Sequence, residues 1–450
     1  MLATARWAHT ATRLADGKVL VAGGIKGRDA TFSGPVSTDS AELYDPQAGA
    51  WLPTGAMTVA RNEHSATRLL DGRVLVAGGY GENSAELYDP TSGTWRPTGP
   101  LAVARNRHTA TLLPDGRVLV AGGDLFFTPV ASAEIYDPAT ETWSPTGSLA
   151  IRRVNHTASL LPNGTVLVAG GESERDIRYS DTYDLSSTEV WDPSANDADT
   201  GLPGSWRPGP DLGTARSDHA AASLGDGRVL VTGGDGALRL AEVYDPATDR
   251  WSAGGSLAAD RRGHTANLLP SGRVLLTAGG YEGSDSAEVY DPPSASSKLA
   301  APLSSRRYAH TATALLDGRV LVAGGSEEVR LAEVFTEHVV PALRIGDTSI
   351  LEGNKGTKTA TLSVSLSSVS TRPVTVSYAT TNGTATAGRD YYATSGTLTF
   401  APGEAAKSLQ VTVVGDKVKE ADEVFFVNLT VPVGASLGKA QGKGTILNDD

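Results

Sequence analysis

The chain has no cysteine. Disulfides, thiolate nucleophiles, thiolate metal sites and iron–sulfur clusters are therefore excluded. The absence does not locate the protein, because a large repeat fold needs no covalent staples in any compartment. No run of 18 apolar residues occurs, so no transmembrane segment is expected. The first residues, MLATARWAHT, lack the apolar core of a signal peptide and lead straight into a recurring motif. Positive charge is also short: 39 Lys and Arg stand against 51 Asp and Glu, for a net charge of −12. With no basic cluster to offset that balance, no nucleic acid is expected as a partner. Glycine and proline are plentiful, at 51 and 24 residues. They predict many turns between short elements.

The stretch from His108 to Gly123, HTATLLPDGRVLVAGG, recurs in close copies around His9, His64, His156, His219, His264 and His310. The period is about 50 residues, in the range of propeller blades. Each copy reads Arg-x-x-His, an alternating run, Asp-Gly or a near equivalent, an apolar run such as Val118-Leu119-Val120-Ala121, and a glycine pair. After a loop of varying length comes Ala-Glu-(Leu/Val/Ile)-Tyr-Asp-Pro, then usually Trp: Trp51, Trp95, Trp143, Trp251 and, after an insertion, Trp206. Short β-rich runs between Asp-Gly and Asp-Pro signals read as four antiparallel strands per repeat. Such a sheet has two apolar faces, and radial stacking buries both. The expected fold is all-β: a seven-bladed β-propeller over residues 1–340, then a β-sandwich over 341–450. The sixth repeat has no Trp, and Leu299 is expected as its substitute. The seventh loses its pattern at FTEHVVP, so its blade is expected to be three-stranded or completed from elsewhere.

The glycine pairs, tyrosines and tryptophans resemble the kelch family of β-propellers over roughly residues 1–340. Seven equivalent histidines on neighbouring sheets stand too far apart to share one metal ion, so each is expected to hydrogen-bond between blades. Seven arginines (Arg6, Arg61, Arg105, Arg153, Arg216, Arg261, Arg307) and seven glutamates (Glu42, Glu86, Glu134, Glu189, Glu242, Glu288, Glu333) predict a repeated, partly buried ion pair. Some kelch propellers resemble the copper-radical domain of galactose oxidase. That chemistry uses a tyrosine crosslinked to a cysteine, which this chain lacks.

Scaffold recurs and recognition varies. The loops at 25–40, 124–132 and 172–187 are long, and they share a face with the Arg-x-x-His segments if the strands alternate up and down. The expected contact residues there are Trp7, Phe32, Glu63, Arg107, Phe126, Phe127, Asn155, Tyr179, Asp218 and Tyr308. The sequence reading is a non-enzymatic recognition or adhesion protein that binds a protein or glycan. The alternatives are a carbohydrate-active or oxidative enzyme of the galactose-oxidase-like propeller type, and a structural module of a larger surface protein.

From Pro341 onward Trp and His vanish, and alternating Thr, Ser and Val runs recur with turns every eight to twelve residues. They predict an immunoglobulin-like sandwich of about seven strands. ILEGNKGT, SYATTNGTATAGRDYYATSGTLTFAPGE, GDKVKEADEVFFVNL and GTILNDD are together similar to the Calx-β family. The resemblance implies calcium held by Glu352, Asp416, Glu420, Asp449 and Asp450, with Asp390 expected to cap a turn instead. It also implies a bacterial extracellular or cell-surface setting.

Overall fold

A computed structural model describes residues 1–449 other than 29–34, 177–180, 236–238, 281–283, 327–328, 338–340 and 371–372. The chain divides into two compact units, Met1–Glu337 and His338–Asp450. Among the described residues there is no helix.

In the first unit every repeat folds as predicted from its turns. Thr109–Leu112, Val118–Ala121, Ala133–Asp137 and Thr142–Thr146 pair antiparallel in sequence order. Residues Leu113 to Gly116 form the tight turn between the first two, closed by Gly116 N donating to Leu113 O at 3.0 Å, and Arg117 N donates to the Asp115 carboxylate at 3.0 Å. The second strand is buried on both faces. Val118 and Val120 pack on Leu75, Leu87 and Leu101 of the preceding repeat, whereas Leu119 and Ala121 pack on Val166 and Val168 of the next. A period-two strand thus contributes to two cores at once. Fully burying each such side chain is worth about 1.5–3 kcal/mol.

The innermost strands meet in a cycle. Thr10–Arg13 lies against both Ser65–Arg68 and Thr311–Ala314. Arg13 donates to the carbonyl of Ala314 at 2.8 Å across the join between the last repeat and the first. Among the described residues the last sheet has three strands, ending with Ala332–Phe335. Leu2 N donates to Arg330 O at 2.8 Å, and the Leu2 side chain packs on Leu315 and Leu321. The fifth and sixth sheets join at their outer strands, where Ser256 pairs parallel with Ser296. Leu299 does not replace the missing Trp. It is 65% exposed, and Ser297 takes the register position opposite Tyr290.

The glycine pairs are not equivalent. The first position has φ near +60°, and in the sixth repeat Ala278 occupies it at +55°. At the second position Gly24, Gly79, Gly123, Gly171, Gly234, Gly279 and Gly325 all have φ between +91° and +126°. A Cβ on Gly123 would stand 2.6 Å from Asn106 O and 2.7 Å from the His108 Cβ. G123A combines left-handed strain with a backbone clash and is expected to cost about 2–3 kcal/mol. A thermal melt reads that loss, and a melting temperature equal to the native one would refute it.

The second unit is a sandwich. Ala406–Gly415, Gly356–Leu366, Ala342–Ile345 and Ser436–Lys439 form one sheet. Thr348–Leu351, Gln441–Leu447, Glu423–Val433, Val374–Asn382 and Ser395–Phe400 form the other. Strict alternation in Gly356–Leu366 turns Ala360, Leu362, Val364 and Leu366 inward. Among the described residues nine strands replace the expected seven or so, because two runs cross between sheets, breaking at Gly346-Asp347 and at Ala440.

Candidate functional site: the axial mouth of the ring

The repeated polar residues form the frame. All seven Arg–Glu pairs are made: Arg6–Glu42 at 2.9 Å, Arg61–Glu86 at 2.8 Å, Arg105–Glu134 at 3.0 Å, Arg153–Glu189 at 2.8 Å, Arg216–Glu242 and Arg307–Glu333 at 2.6 Å, and Arg261–Glu288. Every one of these arginine side chains is fully buried.

The histidines bind between repeats. The Nε2 of His64 faces the Thr10 hydroxyl at 3.1 Å, that of His108 faces Ser65 at 2.9 Å, and that of His9 faces Thr311 at 3.0 Å. The partner is the residue after the preceding histidine, except where that residue is Ala220. There Thr232 on the second strand, a position held by Ala in earlier repeats, supplies the hydroxyl to His264 at 2.8 Å. Burial first, and the nearby Arg second, push His108 and His219 down to about 3, so these rings are neutral.

On this frame the residue before each histidine varies. Ala8, Glu63, Arg107, Asn155, Asp218, Gly263 and Ala309 all have φ between +46° and +56°. Their backbones hydrogen-bond from one repeat to the next: Glu63 N to Ala8 O and Arg107 N to Glu63 O at 3.0 Å, Gly263 N to Asp218 O at 2.7 Å, and Ala8 N to Ala309 O at 2.9 Å. These residues circle the axis of the ring. The long loops rise beside them as hairpins, tied by bridges between Trp7 and Ile25, Asn106 and Asp124, and Val154 and Glu172. The insertions and the Arg-x-x-His segments therefore share a face.

The mouth is charged. Arg262 donates to Asp218 at 3.0 Å and to Asp235 at 2.7 Å. Arg107 donates to Asp124 at 3.0 Å and lies 3.9 Å from Glu63, whose carboxylate also accepts from Asn106 at 2.7 Å. Asn155 donates to Glu172 at 2.9 Å. Burial raises the Asp218 carboxyl above the usual carboxylate range, Glu172 and Asp235 push it the same way, and Arg262 and Arg107 oppose them.

Of the expected contact residues, Glu63, Arg107, Asn155 and Asp218 are in this mouth. Phe126 and Phe127 stand exposed beside Arg107, and Tyr308 is 38% exposed. Trp7 is a correction: its backbone bridges to Ile25, and at 8% exposure its side chain offers almost no surface to a partner. Phe32 and Tyr179 lie outside the described residues. Sequence reasoning missed Asp124, Glu172, Asp235 and Arg262. The signal was available, since the first three directly follow glycine pairs and Arg262 lies within an Arg-x-x-His segment.

In the sandwich, Asp390, Glu420 and Glu423 bring carboxylate oxygens within 4.8 Å of one another. Glu420 was in the expected set. Asp390 caps its turn, accepting from Thr386 N at 2.7 Å, and also joins this cluster. Glu423 had not been singled out. Burial first, then Asp390 and Glu420, push the Glu423 carboxyl up to about 7. Glu352 is buried, is raised by burial and by Asp416 and Glu420, and lies 3.5 Å from the Asn448 amide. Asp416 accepts from Val418 N at 2.6 Å, Asp449 accepts from Gly353 N at 2.6 Å, and Asp450 is outside the described residues.

A Calx-beta domain model matches residues 347–450, and a kelch motif model matches residues 105–150. The chain joins a kelch propeller to a Calx-beta domain. It is 45% identical over 67 residues to sodium/calcium exchanger 2 of Rattus norvegicus, and over 60 residues to sodium/calcium exchanger 1 of Canis lupus familiaris. Those stretches cover 15% and 13% of this chain but only 7% and 6% of the exchangers. A fungal alcohol oxidase of the AA5 family in complex with copper shares the fold, with a TM-score of 0.60 at 16% identity over 99% of this chain and 98% of that one.

That likeness overturns the non-enzymatic recognition reading. An oxidase shares this fold, and the expectation that the chain is not an enzyme is corrected accordingly. The kelch propeller's residues do not, however, fit copper. The Nε2 atoms of its repeated histidines are engaged by hydroxyls, and no cysteine exists to crosslink a tyrosine. Among the described residues no three histidine, aspartate or glutamate ligand atoms converge in this unit.

Proposed function

We propose that the kelch propeller is a carbohydrate-active enzyme that cleaves glycosidic bonds at its axial mouth. The observation that carries this reading is the charge cluster around Asp218, which Arg262 joins to Asp235 through bonds of 3.0 Å and 2.7 Å, with Glu172 and the cation Arg107 close enough to act on the same carboxyl. A carboxyl whose hold on its proton is strengthened by burial can protonate a leaving oxygen, while an ionised neighbour takes a proton from water. In that step water attacks the anomeric carbon and the glycosidic C–O bond breaks. The Asp218 proton passes to the departing oxygen, and a proton of the water passes to Glu172 or Asp235. Arg262, bridging Asp218 and Asp235, would hold the pair in register. The test is the release of reducing ends from neutral polysaccharides by the purified chain. No release from xylan, glucan, mannan or starch would overturn the reading.

A second reading concerns the Calx-beta domain, for which the surplus of carboxylates supports a calcium role. Among the described residues Arg389 is the cation paired with this cluster, on Glu420 and at 3.7 Å from Asp390, and hard oxygen donors suit Ca²⁺. Without metal, the raised Glu423 carboxyl binds more protons folded than unfolded. Its contribution is present below the unfolded value and is lost as pH rises through about 7. Calcium, which binds the ionised form, is expected to raise the melting temperature strongly at pH 8 and weakly at pH 5. Equal shifts at both pH values, or none, would refute a site built on these acids.

A further inference from the structure

Phe126 and Phe127 form the two-residue turn of the hairpin between Asp124–Leu125 and Thr128–Pro129. Both have positive φ, 48° and 70°. Turns of this shape favour Asn-Gly, and bulky side chains in the left-handed region are strained by about 1–3 kcal/mol each. Burial does not offset that strain, since the two rings are 60% and 68% exposed. Tyr80 of the preceding repeat, itself 43% exposed, meets them edge to face, with centroids 5.8 Å and 6.1 Å away.

The turn is anchored to the mouth by one buried carboxylate. Asp124 accepts from Phe127 N at 2.7 Å with Oδ2 and from Arg107 Nε at 3.0 Å with Oδ1. The Arg107 guanidinium lies 5.9 Å from the centre of the Phe127 ring, and its charge is one of those acting on Asp218. Three exposed aromatic rings thus sit beside the charged mouth, with Arg107 common to both.

We infer that Tyr80, Phe126 and Phe127 form a stacking subsite for a pyranose ring of a neutral oligosaccharide. The assignment rests on the carbohydrate-active reading of the mouth and deepens it. The C–H face of a pyranose packs on aromatic rings, while its hydroxyls satisfy groups such as Glu63 and Arg107 that a purely apolar partner would leave desolvated. The net charge of −12 favours a neutral polymer over an anionic one. The strain fits a device that holds two rings out toward ligand.

The test uses the full chain and four probes: xylohexaose, cellohexaose, mannohexaose and maltohexaose, with binding read by calorimetry. The double variant F126N/F127G installs the residues that such a turn prefers, so it removes the rings without weakening the hairpin. Tenfold or greater loss of affinity for a hexaose that the native chain binds, with no fall in melting temperature, supports the subsite. Unchanged affinity overturns it, and so does failure of all four hexaoses to bind the native chain at millimolar concentration. Binding is read without turnover, so the two proposals fail separately. A native chain that binds through these rings but releases no reducing ends keeps the subsite and sinks the hydrolysis. Cleavage with binding indifferent to the double variant does the reverse.

Discussion

Arg105→Met is expected to destabilise the kelch propeller by about 3–5 kcal/mol, the usual result of stripping one partner from a buried ion pair. Arg105 is fully buried and does more than neutralise Glu134. It donates to Gly122 O at 2.9 Å, to Ser132 O at 2.7 Å and to the Ser132 hydroxyl at 2.8 Å. Glu134 in turn accepts from Ala102 N at 2.7 Å, so the pair fastens the third strand to the segment entering the repeat. Methionine fills the space but leaves two carbonyls and a buried carboxylate without their donor. The double variant R105M/E134L removes the stranded charge and is expected to recover part of the loss, in the sign seen when whole buried pairs are replaced. Thermal unfolding of the three chains measures this. A single variant that melts with the native protein would mean the pair adds nothing to the frame.

The repeat makes this frame legible in the sequence itself. Seven copies of Arg, Glu and His in constant register predicted the ion pairs and the inter-repeat histidine bonds, because a group buried in every repeat needs a partner in every repeat. The exceptions were harder to read. Thr232 replaces the hydroxyl that Ala220 lacks, a compensation between two strands that makes sense only once His264 is placed between them. Leu299 looked like the missing apolar side chain by proximity, yet register, not hydropathy, gives that position to Ser297. The calcium-type acids were only partly legible. Asp390 read as a turn cap and is one, but the fold also brings it beside Glu420 and Glu423, which lie thirty or more positions along the sequence.

The mouth was the least legible part, for a physical reason. Asp218 pairs with Arg262 and Arg107 with Glu63, each 44 residues apart, and only the winding of the repeats about one axis brings them together. Read singly, each was a variable position between Arg and His and suggested a contact surface. Read together, they form an electrostatic site in which one carboxyl is held apart from the others. Phe126 and Phe127 were legible as contact residues, but the turn that presents them was not, since its local sequence argues against the conformation it adopts.

Asp218→Asn is therefore expected to abolish most of any turnover, by about 10²- to 10⁴-fold, the range associated with a positioned proton donor. Asparagine keeps the size and can still accept from Arg262, but it has no acidic proton to deliver. Because Asp218 is only partly buried and its partner Arg262 keeps Asp235, the fold is expected to lose no more than about 1 kcal/mol. The native pH profile is expected to carry the same signature. Burial raises the folded carboxyl, so the active, protonated form persists above the usual carboxylate range and activity falls as pH rises through the shifted value. In D218N that alkaline limb should disappear along with the rate, while hexaose affinity stays within about threefold, because the stacking rings and Arg107 are untouched. Retained turnover in D218N would remove Asp218 from the chemistry and leave the cluster as a purely structural ring of charges.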